Sequence, residues 1–169
     1  MKNRGGALTE ASDESYLVHP GTGVMTKAGL QHKVGAARLN GSLAILEGNV
    51  APGDFVPPHT HTREDEVSCV IGGKVTYRVG QETFEATAGS YVIKPRGVVH
   101  AFWNATAEKA TIIEVVIPGA FEDFFDAIEE VPDGPAQPTA LMALQERFGV
   151  IIDFNLAAEI AREYGLGNV

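Results

Sequence analysis

The chain has 169 residues, 44% of them hydrophobic and 21% charged, which suits one globular domain with a sizeable core. Its formal net charge of -9 and pI near 4.9 argue against nucleic acid or an anionic membrane as a partner. A lone cysteine, Cys69, excludes an internal disulfide, and no run approaches the roughly 18 apolar residues of a membrane span.

In chain order, residues 1–15 are polar and Gly-containing and are expected to be a flexible N-terminus without a secretory leader, consistent with a cytoplasmic protein. Tyr16-Leu17-Val18 and Gln31 to Val34 read as short strands, and Ser42 to Val50 as a strand leading into Pro52-Gly53. Glu66 to Ile71 is a strand ended by Gly72-Gly73. Lys74 to Ala86 is a strand, a turn at Gly80 and a second strand. The β-branched run Thr111 to Ile117 is a further strand.

After Pro118 the period changes. Phe121, Phe124, Phe125 and Ile128 recur at helical spacing. That aromatic stripe suits either a lid or packing on the outside of a barrel, and the second is the simpler expectation. Pro132 to Pro138 is a connector rich in breakers. Thr139 can cap a helix running to Phe148, with Gly149 beyond it. Asp153 or Asn155 can cap a last helix to Tyr164, ended by Gly165. The expected division is 1–15 flexible, 16–118 a β-barrel, and 119–169 a helical extension packing on it.

Chemistry concentrates in two segments. His59 and His61 are two apart in an extended segment, so their side chains share one face. Glu66 would point to the opposite face of an unbroken strand, so a turn over polar Thr62 to Asp65 must intervene. His100 lies on a distant strand, where His100, Phe102 and Asn104 share parity. Three imidazoles and a carboxylate would form a 3-His-1-Glu site for one divalent transition metal per chain. Fe, Mn, Ni, Co and Cu suit it, and Zn can be held as well. His19 and His32 belong to neither segment. Phe55, Tyr77, Phe84 and Phe102 could wall an apolar pocket or serve equally well as ordinary core. Parity puts Cys69 on the outer face of its strand. Asn104 opens a formal glycosylation sequon but is better read as bonding backbone at a strand end.

Both segments resemble the paired motifs of the cupin superfamily, G-x5-H-x-H-x4-E-x6-G and G-x5-P-x-G-x2-H-x3-N. Gly53, His59, His61, Glu66 and Gly73 fill the first; Gly89, Pro95, Gly97, His100 and Asn104 fill the second. One pair of motifs makes this a single-domain cupin. The resemblance implies a mostly β fold, a double-stranded β-helix (jelly-roll barrel) with a C-terminal helical tail. It also implies His59, His61, Glu66 and His100 as metal ligands, and a homodimer.

A finer resemblance, to bacterial quercetin dioxygenase-like proteins, rests on Pro57 to Glu66, Pro95 to His100 and Ile117 to Glu122. It implies a dioxygenase that cleaves a flavonol-like or other enol or phenol with O2, with Glu66 as both ligand and base. Ser68 departs from the bulky residues usual at that inward position, which would enlarge or re-polarise the pocket. The alternatives are a non-redox isomerase, epimerase or lyase, and a small-molecule-binding cupin without turnover.

Overall fold

The computed structural model describes residues 16–26, 29–132 and 134–167. Residues 1–15, expected to be flexible, lie outside the described residues. The strands are β1 (Val24–Met25), β2 (Leu30–Val34), β3 (Ala44–Val50), β4 (Phe55–His61), β5 (Asp65–Gly72), β6 (Lys74–Val79), β7 (Glu82–Thr87), β8 (Tyr91–Lys94), β9 (His100–Trp103) and β10 (Ala110–Ile117). Helices α1 (Asp123–Ile128) and α2 (Gln137–Phe148) follow, then strand β11 (Val150–Ile152) and helix α3 (Phe154–Tyr164).

The strands form two antiparallel sheets, of order β1-β2-β3-β10-β5-β8 and β11-β4-β9-β6-β7. This is the double-stranded β-helix expected from the motifs. The core between the sheets is built from period-2 alternation. On β10, Ala110, Ile112, Glu114 and Val116 are buried, and Thr111, Ile113 and Val115 less so. Val50, Val70, Val75, Tyr77, Val92 and Phe102 come from five different strands and pack with Ile112 of a sixth in one cluster.

Local chemistry explains the breaks. Gly73 stands at φ +71 between β5 and β6, and a Cβ there would meet Lys109 O and the Ala110 backbone at 2.8 Å. Only glycine fits both the left-handed conformation and the close approach. Asn104 is fully buried. Its amide donates to the Val50 and Glu108 carbonyls, and its Oδ1 accepts from the Thr106 amide and hydroxyl. It therefore acts as the structural clasp that parity suggested, and it is not available as a glycosylation site in the folded chain.

The ends of the chain differ from expectation in three places. Tyr16 to Val18 is not a strand, and Tyr16 and Leu17 are exposed. Helix α2 starts at Gln137, not after a Thr139 cap; Pro138 sits in its first turn, where a missing N–H costs nothing. The tail is also not wholly helical. Gly149 ends α2 at φ +68, and β11 then pairs with β4, placing Val150 opposite His61 and Ile152 opposite His59. Asp153 caps α3 by accepting from the Leu156 amide, and Gly165 closes it. Helix α3 covers the outer face of the five-stranded sheet, where Ile160 packs on Ala101 and Trp103.

Candidate metal centre

Strand β4 presents His59 and His61, β9 presents His100, and β5 presents Glu66. Antiparallel register sets His59 opposite His100. The break expected over Thr62 to Asp65 is present at residues 62–64, with Asp65 already in β5, so Glu66 enters on the buried parity of that strand. It is held by the tail: the Thr62 amide and hydroxyl both donate to the Gly149 carbonyl at 2.8 Å, and Arg63 donates to Arg147 O.

One nitrogen or carboxylate oxygen from each of His59, His61, Glu66 and His100 lies within 4.8 Å of all the others. The His59 and His100 ring centroids are 4.4 Å apart, and those of His61 and His100 are 5.4 Å apart and nearly parallel. Glu66 Oε2 is 3.3 Å from His100 Nε2, and Oε1 is 3.5 Å from His61 Nε2.

The tautomers follow from the neighbours. His59 Nδ1 lies 2.7 Å from Pro57 O, and His100 Nδ1 lies 3.1 Å from Val98 O. A carbonyl only accepts, so each Nδ1 carries the proton and each Nε2 keeps its lone pair for the cluster. His61 Nδ1 faces the buried Glu64 carboxyl at 3.5 Å. Glu64 was not singled out from the sequence. A charged residue beside the turn looks solvated until Arg63 and the helical tail close over it.

Electrostatics point the same way. Burial, followed by the neighbouring His100, lowers His59 to about 3; burial also lowers His61 to about 4. Both are neutral at pH 7. Burial alone would raise Glu66, but the Lys94 ammonium, with His100 and His61, outweighs it and holds the carboxyl well below its usual range. Neutral imidazoles and an ionised carboxylate are the protonation states a metal ion requires. The buried Nε2 atoms of His61 and His100 have no hydrogen-bond partner among the described residues, as lone pairs reserved for an ion would. The donor set therefore fits a divalent transition metal, with Pro57 and Val98 orienting the imidazoles of His59 and His100.

The depressed histidines set a pH dependence for protein stripped of metal by a chelator. Between about 4 and 6.5 the unfolded chain binds protons that folded His59 and His61 refuse. Stability therefore rises with pH across that window and is lost on acidification through it. Near pH 5 two such groups contribute a slope of up to about 2.7 kcal/mol per pH unit, reduced by Glu64, whose raised carboxyl works in the opposite sense. Urea titrations at pH 5 and 6.5 measure it; equal stabilities would contradict the burial of neutral imidazoles.

Three of the four donors, His59, His61 and Glu66, line a cavity of about 470 Å³. Phe55, Val56, Phe102 and Ile112 contribute barrel walls, and Phe121, Phe124, Phe125 and Ile128 line the other side. The aromatic stripe therefore does not pack outside the barrel, as the simpler expectation had it. The Phe121 ring centroid is 4.3 Å from that of His61, and the stripe forms the lip of the cavity. Of the other predicted pocket residues, Ser68, Tyr77 and Phe84 do not line it. Ser68 is turned to Glu114, Tyr77 is fully buried in the core cluster, and Phe84 is 37% exposed on β7. Lys94 and Glu114, neither anticipated, do line it.

His32 lies apart from the cluster, with Nδ1 3.3 Å from Glu122. The cupin-domain family pattern matches residues 46–116, which contain all four donors. The chain belongs to the cupin superfamily. This cupin is 26% identical over 142 residues to quercetin 2,3-dioxygenase of Bacillus subtilis, covering 79% of this chain and 42% of the relative. It is 35% identical over 118 residues to a germin-like protein, subfamily T member 2, of Arabidopsis thaliana, covering 64% and 48% respectively. It thus spans about half the length of these curated relatives. Among solved structures, a predicted oxalate decarboxylase of Thermotoga maritima superposes with a TM-score of 0.50 at 20% identity, over 53% of this chain and 78% of that one. That likeness concerns the fold. Among the described residues, no helix is long and apolar enough to cross a membrane.

Proposed function

We propose that this cupin is a metal-dependent dioxygenase acting on a small enol or phenol, with His59, His61, Glu66 and His100 as the ligands. The observation that carries this reading is the four-donor cluster, three of whose members line a cavity otherwise walled mostly by aromatic and aliphatic side chains. Such a cavity takes a flat apolar ring and leaves its one acidic oxygen to the polar end. The likeness to a quercetin dioxygenase over most of the chain supports the same reading.

A divalent ion held there would supply Lewis acidity and, if Fe, Mn, Co, Ni or Cu, the redox capacity that O2 chemistry needs. The protein's own part is to bind, orient and exclude water. Phe121, Phe124 and Phe125 close the apolar side, and Phe102 stands on the same strand as His100. Glu66 is the proton acceptor in this reading. Lys94 weakens it as a base, which suits an acidic enol or phenol hydroxyl and not an aliphatic alcohol.

The test is O2 uptake with flavonols and other enols by protein loaded separately with each metal. Uptake that needs both substrate and a redox-active ion, and that falls at least ~100-fold in Glu66→Gln, is the expected result. Turnover with Zn that ignores O2 would overturn the dioxygenase in favour of a non-redox isomerase or lyase. Lys94 and Glu114 are the observation favouring that second reading, since they put charged groups on the cavity wall.

A homodimer belongs to the same proposal. Tyr91 and Ile93 on edge strand β8 are 73% and 69% exposed and continue across Val67, Val115 and Ile113 as one apolar face of the six-stranded sheet. A second copy of this chain, presenting the same face, would cover it symmetrically. Sedimentation should show a dimer that Tyr91→Asp/Ile93→Lys converts to monomer; an unchanged dimer would place the interface elsewhere.

A further inference from the structure

A fully buried lysine stands directly across from the glutamate of the metal centre. Lys94 on β8 pairs in register with Glu66 on β5 and is 2% exposed. Its ammonium lies 2.9 Å from Glu66 Oε2 and 2.7 Å from Glu114 Oε2. Glu114, on β10, faces Ser68 on β5, whose hydroxyl donates to Glu114 Oε1 at 2.7 Å. Three adjacent strands thus carry one line of contacts from Ser68 through Glu114 and Lys94 to Glu66.

Stability alone gives little reason for this line. The positions lie on core parity, among Val70, Val92, Ile112 and Val116. An apolar set of similar volume is often as stable as a buried ion pair, or more so. What an apolar set could not do is touch the Glu66 carboxylate. Oε2 is already 3.3 Å from His100 of the facing sheet, and Lys94 is the donor that reaches it from the neighbouring strand of its own sheet. A single carboxylate among three imidazoles would otherwise be free to rotate about its last bond.

We propose that Lys94 is a positioning residue, which orients the Glu66 carboxylate among the three imidazoles, and that Glu114 with Ser68 holds the lysine and cancels its charge. With Lys94 and Glu114 offsetting each other, the ligand set still leaves a divalent ion a formal charge near +1. The inference rests on the metal-centre reading above.

Cobalt(II) is the probe, titrated into wild type, Lys94→Met and Lys94→Met/Glu114→Met against a chromophoric chelator, with the visible cobalt spectrum recorded alongside. The single variant strands a buried carboxylate and can fail to fold; the double variant removes both charges and keeps the test open. Either variant that folds should bind cobalt about 10–100-fold more weakly, with shifted visible bands, as loss of an outer-shell partner does. Wild-type affinity and an unchanged spectrum in the double variant would reduce the pair to a structural contact and overturn the proposal. Failure of the wild-type chain to bind cobalt would overturn the metal-centre reading, and this inference with it.

Discussion

His59→Ala and His100→Ala should each purify as a folded barrel that no longer retains metal. The two residues sit opposite each other on β4 and β9, so each substitution removes one wall of the same centre. Loss of an outer-shell partner costs about 10–100-fold in affinity, and loss of a ligand should exceed that. The barrel should survive because neither residue belongs to the main apolar clusters. Each is tied mainly to a carbonyl two residues away, Pro57 O for His59 and Val98 O for His100. Elemental analysis of dialysed, untagged protein decides the matter. Full metal content in both variants would mean that the ion, if one binds, sits elsewhere.

Trp103→Ala should be the most destabilising single change outside the centre, at about 3–5 kcal/mol. Trp103 is fully buried on the outward parity of β9. Its ring lies 4.7 Å from Tyr164 and 6.2 Å from Phe55, centroid to centroid, and it packs on Ile160. It is therefore the main anchor between α3 and the five-stranded sheet. Removing it leaves a large void and frees the helix. Denaturant titration should show the loss, and hydrogen exchange should show it concentrated in α3. A cost below about 1 kcal/mol would mean that α3 contributes little to the fold.

The candidate site was legible because its donors are placed by short-range rules. H-x-H in a strand puts two imidazoles on one face whatever the rest of the chain does. The break before Glu66 was forced by parity, and polar Thr62 to Asp65 supplied it. Lys94 and Glu114 carried a readable sign too, since each is a lone charge at core parity in an apolar strand, beside Val92 and between Ile112 and Val116. Parity says that such a charge points inward; it does not say which partner will neutralise it. Ser68 shows the same limit. Its inward parity was read correctly, yet its hydroxyl is bonded to Glu114 and the residue does not itself line the cavity.

The sequence by itself determined most strands of the barrel, their buried faces, the closing glycine of the last helix, and the four donors with the turn between His61 and Glu66. These depend on period-2 alternation and on glycine's access to positive φ. Only the tertiary structure decided that β8, β5 and β10 are neighbours, which creates the Ser68–Glu114–Lys94–Glu66 line. It also decided that β11 completes the sheet of β4, and that the Phe121 stripe faces the histidines. The physical reason is that strand neighbours and lips are chosen by packing between segments 20 to 90 residues apart, which no local pattern encodes.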